Sequence, residues 1–340
     1  MLENVFLLLG AVALFLYSLK LISDGISEIA GERIKGVVQA STSNRFSAAL
    51  AGAFSTAIAQ SSVATNMIVI ALVKKGIITF FSASAIIMGT NIGTTITAQL
   101  VSLSSISNIN VIAIGCFIGF LGFVLTLQSK PLLKSAGKAM LGFGFLFMGI
   151  DLLTKVVEVF KGYAWFTGLF LVKNPLLLIL NGFMITAVLQ SSSVVTSVMI
   201  VLAELGLLTF QNAVFIVLGA NVGTCLPVIF ASLSMGKESV KCSLFNLTFN
   251  IIGCAIFTFP LIFFGEQIQS LKIFALSQAR AIANFHTAFN VCVCIILLPF
   301  LKLVCKAVER FYEFLMADEP LNNKKSRSVF IKYAVNRHNK

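Results

Sequence analysis

Along this chain, apolar stretches of about 20 residues alternate with short polar breaks, the pattern of successive bilayer-spanning helices. Seven full spans are predicted, at about residues 5–23, 77–103, 111–127, 139–154, 207–230, 243–264 and 281–301. Two further apolar stretches, 46–73 and 176–203, are each interrupted near the middle by a polar triplet, Gln60-Ser61-Ser62 and Gln190-Ser191-Ser192. In lipid an unsatisfied backbone group costs several kcal/mol, so non-helical backbone persists only where protein or water supports it. Each interrupted stretch is therefore predicted to be a re-entrant hairpin of two half-helices. The second half-helix of the first, residues 63–73, would rise about 16 Å, roughly half the hydrocarbon thickness. Both tips are expected to meet near the midplane.

Self-similarity orders these stretches. Residues 51–103 align without a gap on 181–233, an offset of 130. The identical pairs are polar and glycine positions that apolar composition alone would not match: Gln60/Gln190, Ser61/Ser191, Ser62/Ser192, Thr79/Thr209, Gly89/Gly219, Asn91/Asn221, Gly93/Gly223 and Thr94/Thr224. With one slip the likeness extends upstream, Leu14-Phe15-Leu16-Tyr17-Ser18-Leu19 against Phe145-Leu146-Phe147-Met148-Gly149-Ile150.

Charge sets the topology, because Lys and Arg favour the cytoplasmic side. If the interrupted stretches return to their own side, 20 basic residues share a side with the first loop and 5 lie opposite, or 11 against 5 without the C-terminal tail. If they cross, the split is 18 against 7, or 9 against 7. The hairpin reading separates charge better. It also places three spans between equivalent points, which inverts the second repeat relative to the first. The fold class expected is an all-α membrane protein of inverted repeats, each with a re-entrant broken-helix hairpin and an unwound transmembrane helix. Residues 1–303 form the membrane domain, with repeat one at about 5–127, repeat two at about 139–264 and a final span at about 281–301; 304–340 form a basic cytoplasmic tail. Residues 24–45, with Asp24, Glu28, Glu32, Arg33 and Lys35, read as an interfacial amphipathic segment or a solvated connector.

Composition agrees. Charged residues make up 11% and hydrophobic ones 58%, where a soluble domain carries roughly 25% charged. The partner is the lipid bilayer, and the net charge of +12 is read as topology, with no nucleic-acid partner. The first span reads as retained, since Met1-Leu2-Glu3-Asn4 has no basic character and no small-residue cleavage site precedes Lys20. The seven cysteines fall mostly in apolar runs and indicate no transition-metal site.

The candidate chemistry sits at the repeated turns. A half-helix starting inside the membrane presents free N–H groups and a positive dipole end, a ready anion site. Hydroxyls of Ser61, Ser62, Ser191, Ser192 and Ser193 can donate to oxyanion oxygens, and the amides of Gln60 and Gln190 can accept from a protonated oxygen. That last property favours phosphate over fully ionised sulfate. Gly89-Thr90-Asn91-Ile92-Gly93-Thr94-Thr95 and Gly219-Ala220-Asn221-Val222-Gly223-Thr224-Cys225 suggest unwound helices, with helix packing through the Gly-x-x-x-Gly spacing as the other reading. Unwound carbonyls and neutral side-chain oxygens suit sodium, which makes Thr65, Asn66, Asn91, Thr94, Thr95, Thr196, Ser197, Asn221 and Thr224 the sodium-binding candidates. Residues 46–103 contain no Asp, Glu or His, and residues 176–233 contain only Glu204, so a carboxylate proton relay is poorly supported. No Lys or Arg lies near either tip in sequence, so co-bound cations are expected to neutralise the anion. Ala283-Asn284-Phe285-His286-Thr287-Ala288-Phe289-Asn290 echoes Ser243-Leu244-Phe245-Asn246-Leu247-Thr248-Phe249-Asn250, and His286 reads as a hydrogen-bonded structural histidine ahead of a gating or proton-sensing role. Asp151 reads as an interfacial charge.

On these residues, both Gln-Ser-Ser turns, both Gly-x-Asn-x-Gly-Thr elements, Ser23-Asp24-Gly25 and Ala283-x-x-His286-x-x-Phe289-Asn290, the chain resembles the type II sodium/phosphate cotransporter family over about residues 5–303. The resemblance implies a multi-pass protein of the bacterial inner membrane that imports inorganic phosphate driven by sodium, with no other cofactor and no enzymatic activity; a homodimer is one candidate assembly. Two departures stand out. Val63 replaces a hydroxyl expected in the first motif, so the second repeat is expected to carry more of the polar contacts. The tail from Cys305 is too short for the regulatory domain that many bacterial members carry, so such control would act in trans or be missing. The competing readings are another oxyanion or another coupling ion, a non-transporting membrane phosphate sensor and, weakest, a membrane enzyme with a Ser nucleophile.

Overall fold

A computed structural model describes residues 2–40, 44–103, 111–163, 172–271 and 277–317. The tail bases Lys324 to Lys340 lie outside the described residues, as do Lys272 and the side chains of Glu32, Arg33 and Lys35. The described regular structure is helical, and five helical stretches are long and apolar enough to cross a membrane.

The helices are α1 (Leu2–Ala40), α2 (Arg45–Ala59), α3 (Ser62–Lys74), α4 (Phe80–Ser102), α5 (Val111–Thr126) and α6 (Pro131–Phe160), then α7 (Pro175–Leu189), α8 (Ser192–Glu204), α9 (Phe210–Gly223), α10 (Cys225–Ser232), α11 (Lys237–Ser270), α12 (Gln278–Leu297) and α13 (Leu301–Ala317). The 130-residue offset governs local structure as well as sequence. Asn44 and Asn174 cap α2 and α7, Ser61 and Ser191 cap α3 and α8, and Thr79 and Thr209 cap α4 and α9, each with a side-chain oxygen accepting from a first-turn N–H.

Contacts fix the directions of these helices. Along α2 and α4 the pairs Ala49/Gly89, Ala53/Gly93 and Gln60/Thr97 rise together, so the two run parallel. Asn66 of α3 meets Thr90, below the Gln60/Thr97 level, so α3 runs back toward the start of α4. α2 and α3 thus form a hairpin alongside α4. α7 follows α9 in the same way, Ile179 against Gly219 and Phe183 against Gly223.

Longer contacts relate the two halves. α12 runs antiparallel to α4 (Arg280 to Ser102, Asn284 and Thr287 to Gln99), and α11 runs antiparallel to α9 and α10 (Leu261 to Gln211, Asn250 to Cys225, Ser243 to Ser232). α11 and α12 are antiparallel to each other through Gly253/Val293 and Phe257/Phe285. It follows that α4 and α9 point in opposite directions.

The expected unwinding at Gly89–Thr95 does not occur: α4 is helical throughout. Close packing explains the glycines, since a Cβ on Gly89 would stand 1.8 Å from the Ala49 carbonyl oxygen and one on Gly219 1.9 Å from that of Ile179. In the second element the helix breaks only at Thr224, between α9 and α10. Pro227 has no N–H to bond the Gly223 carbonyl four residues back, which accounts for the break.

Residues 24–40 do not form an element of their own. They continue α1, and Glu28 is fastened to α6 by Lys138 and Ser135 at 2.5 Å. α13 runs across the 303/304 boundary and buries Leu301, Val304, Cys305 and Val308.

Candidate functional site

Among the described residues only Gln60 (φ 53) and Gln190 (φ 57) are non-glycine residues with positive φ. Such a conformation is uncommon outside glycine, and strained backbone of this kind concentrates at ligand sites. Each Gln ends a half-helix, its N–H bonded to the carbonyl of Thr56 or Thr186, and the extended Ser that follows caps the next helix. Ser61 Oγ accepts from the Ala64 N–H at 3.2 Å and Ser191 Oγ from the Val194 N–H at 3.4 Å. The N–H groups of Ser62, Val63, Ser192 and Ser193, in the first turns, have no intrahelical partner.

The two turns meet. Residues 60–63, residues 190–193 and Thr224 enclose one cavity of about 80 Å³. A second cavity of about 200 Å³ shares Gln60, Ser61, Ser191 and Ser193 with the first and is walled by Thr97 and, from α1, by Leu16, Lys20 and Ser23. Neither cavity is lined by a carboxylate. Sequence proximity placed no cation near a tip, yet Lys20, from a different helix, lines the larger cavity that both turns share.

The repeats diverge in chemistry. Gln60 is tied down, Oε1 accepting from Thr97 Oγ1 at 2.8 Å and Nε2 donating to the Ala57 carbonyl at 2.8 Å. The position equivalent to Thr97 is Pro227, and among the described residues the Gln190 side chain has no hydrogen-bond partner. Likewise Asn66 accepts from Thr90 at 2.9 Å, while their counterparts Thr196 and Ala220 cannot pair, leaving the Thr196 hydroxyl buried without a partner. With Ser193 standing where the first repeat has Val63, the second turn presents the larger set of unengaged polar groups.

The other cation candidates are dispersed. Thr65, Thr94, Thr95 and Ser197 donate to helix carbonyls one turn back, and Thr224 does so while lining the tip cavity. Asn91, half-buried, and Asn221, buried, line neither tip cavity. Asn91 Nδ2 donates to Asn246 Oδ1 at 3.4 Å, and Asn221 Oδ1 sits 3.3 Å from His286 Nε2. The aromatic pairs Phe80/Phe245 (6.3 Å, 85°) and Phe210/Phe285 (5.9 Å, 89°) repeat the same correspondence. The echo between 243–250 and 283–290 is therefore structural: each copy packs on the equivalent helix of one repeat. Sequence reading missed Lys20, although it was the first cation after the opening apolar run, and Thr97, although the 97/227 difference was already legible in the alignment.

Helices of spanning length, together with two Gln-Ser-Ser turns that share a polar cavity, define a multi-pass membrane protein. The chain belongs to the Na+/Pi-cotransporter family, whose sequence profile matches residues 14–155 and 169–277. Among its relatives, YjbB of Escherichia coli K12, provisionally named an inorganic phosphate export protein, is 26% identical over 317 residues. That alignment takes in 92% of this chain but 56% of YjbB, so the chain spans a little over half of that relative's length. YqeW of Bacillus subtilis is 28% identical over 304 residues, 87% of this chain and 94% of YqeW. Human sodium-dependent phosphate transport protein 2B is 31% identical over 113 residues, 31% of this chain and 16% of that protein. No solved structure matches the chain.

Proposed function

We propose that this protein is a secondary active transporter that moves inorganic phosphate together with sodium, inward, by alternating access. The observation that carries the reading is the shared cavity where the starts of α3 and α8 meet beside the unengaged Gln190 amide. Two dipole ends and up to four free N–H groups suit a tetrahedral oxyanion, and a Gln carbonyl can accept from its protonated oxygen. Phosphate ligands would come from Gln60, Ser61, Ser62, Gln190, Ser191, Ser192 and Ser193, with Gln190 and Ser193 ahead of Gln60. For sodium, Thr196 and Thr224 are the strongest of the candidates, one with a buried unpartnered hydroxyl and the other on the cavity wall.

The opposite directions of α4 and α9 support reading the halves as inverted repeats, with α2–α3 and α7–α8 as re-entrant hairpins. Repeats of that kind can exchange conformations around a fixed site. Export is the second reading, favoured by the name of the Escherichia coli relative. Proteoliposomes loaded with or without phosphate, under inward, outward and no sodium gradient, separate the two. Uptake that follows an inward sodium gradient is expected; phosphate flux indifferent to sodium would overturn the coupling, and flux only out of the cytoplasmic face would favour export.

A further inference from the structure

Lys20 is the one charged residue that lines either tip cavity among the described residues. From α1 it lines the larger cavity together with Gln60, Ser61 and Ser193. α1 is held there by a direct link to the first turn, Ser23 Oγ donating to the Ala59 carbonyl at 2.9 Å. Lys20 is exposed and among the described residues has no ion pair; Asp24, one turn along α1, makes none with it. The equivalent position in the second repeat is Asp151, which carries the opposite charge and is engaged by Lys155 at 2.7 Å. Asp151 lines a different cavity, one that shares no residue with either turn. Charge at the site is thus supplied asymmetrically, by one lysine from one helix.

We propose that Lys20 is the charge-compensating anion contact of this site: its ammonium meets a phosphate oxygen at the entrance to the paired turns, drawing the anion in and offsetting part of its charge. The inference rests on the phosphate-site reading above. A free ammonium is three donors on a flexible stem, suited to a mobile oxyanion as a point charge, and a cleft lined by one sign of charge raises the local concentration of the opposite ion. With a protein cation present, sodium need not neutralise the whole anion. Lys20 therefore sets phosphate affinity, and its loss shifts the burden onto sodium.

The test uses the full chain, as wild type and as Lys20→Gln, Lys20→Arg and Lys20→Glu, in two assays: equilibrium binding of radiolabelled inorganic phosphate to detergent-solubilised protein, and sodium-driven uptake into proteoliposomes. Lys20→Gln is expected to raise the phosphate KM and Kd about tenfold with maximal flux within about twofold, a loss of one charge-assisted contact. Lys20→Glu is expected to lose more, and Lys20→Arg to restore affinity to within about threefold. Added impermeant salt should shrink the difference between wild type and Lys20→Gln. An unchanged KM and Kd in Lys20→Gln, with flux intact, would overturn the role of Lys20 and leave the transport reading standing. Lys20-dependent binding without gradient-driven flux would do the reverse, and no binding and no flux in the wild type would overturn both.

Discussion

His286 and Asn221 face each other across the α12–α9 contact, Nε2 to Oδ1 at 3.3 Å, where Asn246 and Asn91 stand 3.4 Å apart in the other half. Asn246 and His286 hold equivalent places in the echoed segments, so a histidine stands in one half where the other has an asparagine in the same interhelical contact. The position asks for a compact side chain that can bond the Asn of the Gly-x-Asn-x-Gly element. The expected result is that His286→Asn holds stability within about 1 kcal/mol, while His286→Leu, which leaves the buried Asn221 Oδ1 without its partner, costs about 1–3 kcal/mol. Thermal unfolding of the solubilised protein measures both; equal losses in the two variants would show that ring volume matters and the hydrogen bond does not.

Gln60 and Gln190 are identical in sequence and backbone but differ in engagement, and their substitutions should differ accordingly. Gln190→Ala is expected to raise the phosphate KM by about tenfold, the loss of one contact of ~1.4 kcal/mol. Gln60→Ala should act more on stability, by about 1 kcal/mol, because it removes the anchor to Thr97. Uptake kinetics paired with thermal unfolding distinguish them, and a larger KM effect at Gln60 would refute the asymmetry.

Gly89 and Gly219 should tolerate no side chain. With the nearest carbonyl oxygen under 2 Å from an added Cβ in both cases, Gly89→Ala or Gly219→Ala forces α2 or α7 away from its partner. A destabilisation above ~3 kcal/mol or failure to accumulate folded protein is expected, comparable to the severe end of overpacking. Gly10→Ala is the control, since nothing lies within 4 Å of its added Cβ. Monodispersity on size exclusion reads the outcome.

Val63→Ser would give the first turn the hydroxyl that Ser193 gives the second. It lines the tip cavity, so about a two- to fivefold fall in the phosphate or sodium concentration for half-maximal uptake is expected, a fraction of one hydrogen bond. No change in either value would mean that the first turn contacts neither ion at that position.

The architecture was legible to the extent that it depends on burial periodicity and duplication. Five of the seven predicted spans, all but 77–103 and 111–127, coincide with helices long and apolar enough to cross a membrane, and the two breaks at the Gln-Ser-Ser turns follow from where polar groups interrupt apolar runs, because lipid penalises each unsatisfied group locally. The caps at Ser61 and Ser191 and the strained Gln60 and Gln190 were marked by the same signal. The glycine pairs were less decisive: Gly-x-x-x-Gly reads as unwinding or as packing until the neighbouring backbone is known, and α2 against α4 decided for packing.

By itself, then, the sequence determined a helical membrane protein with a duplicated polar turn, since both are properties of short windows and of one alignment. Only the tertiary structure decided that the turns share a cavity, that Thr97 restrains Gln60 while Pro227 leaves Gln190 unengaged, and that Lys20 lines the adjoining cavity. Those facts depend on contacts between helices distant in the chain, where a single partner decides whether an amide or an ammonium is occupied or free for a ligand.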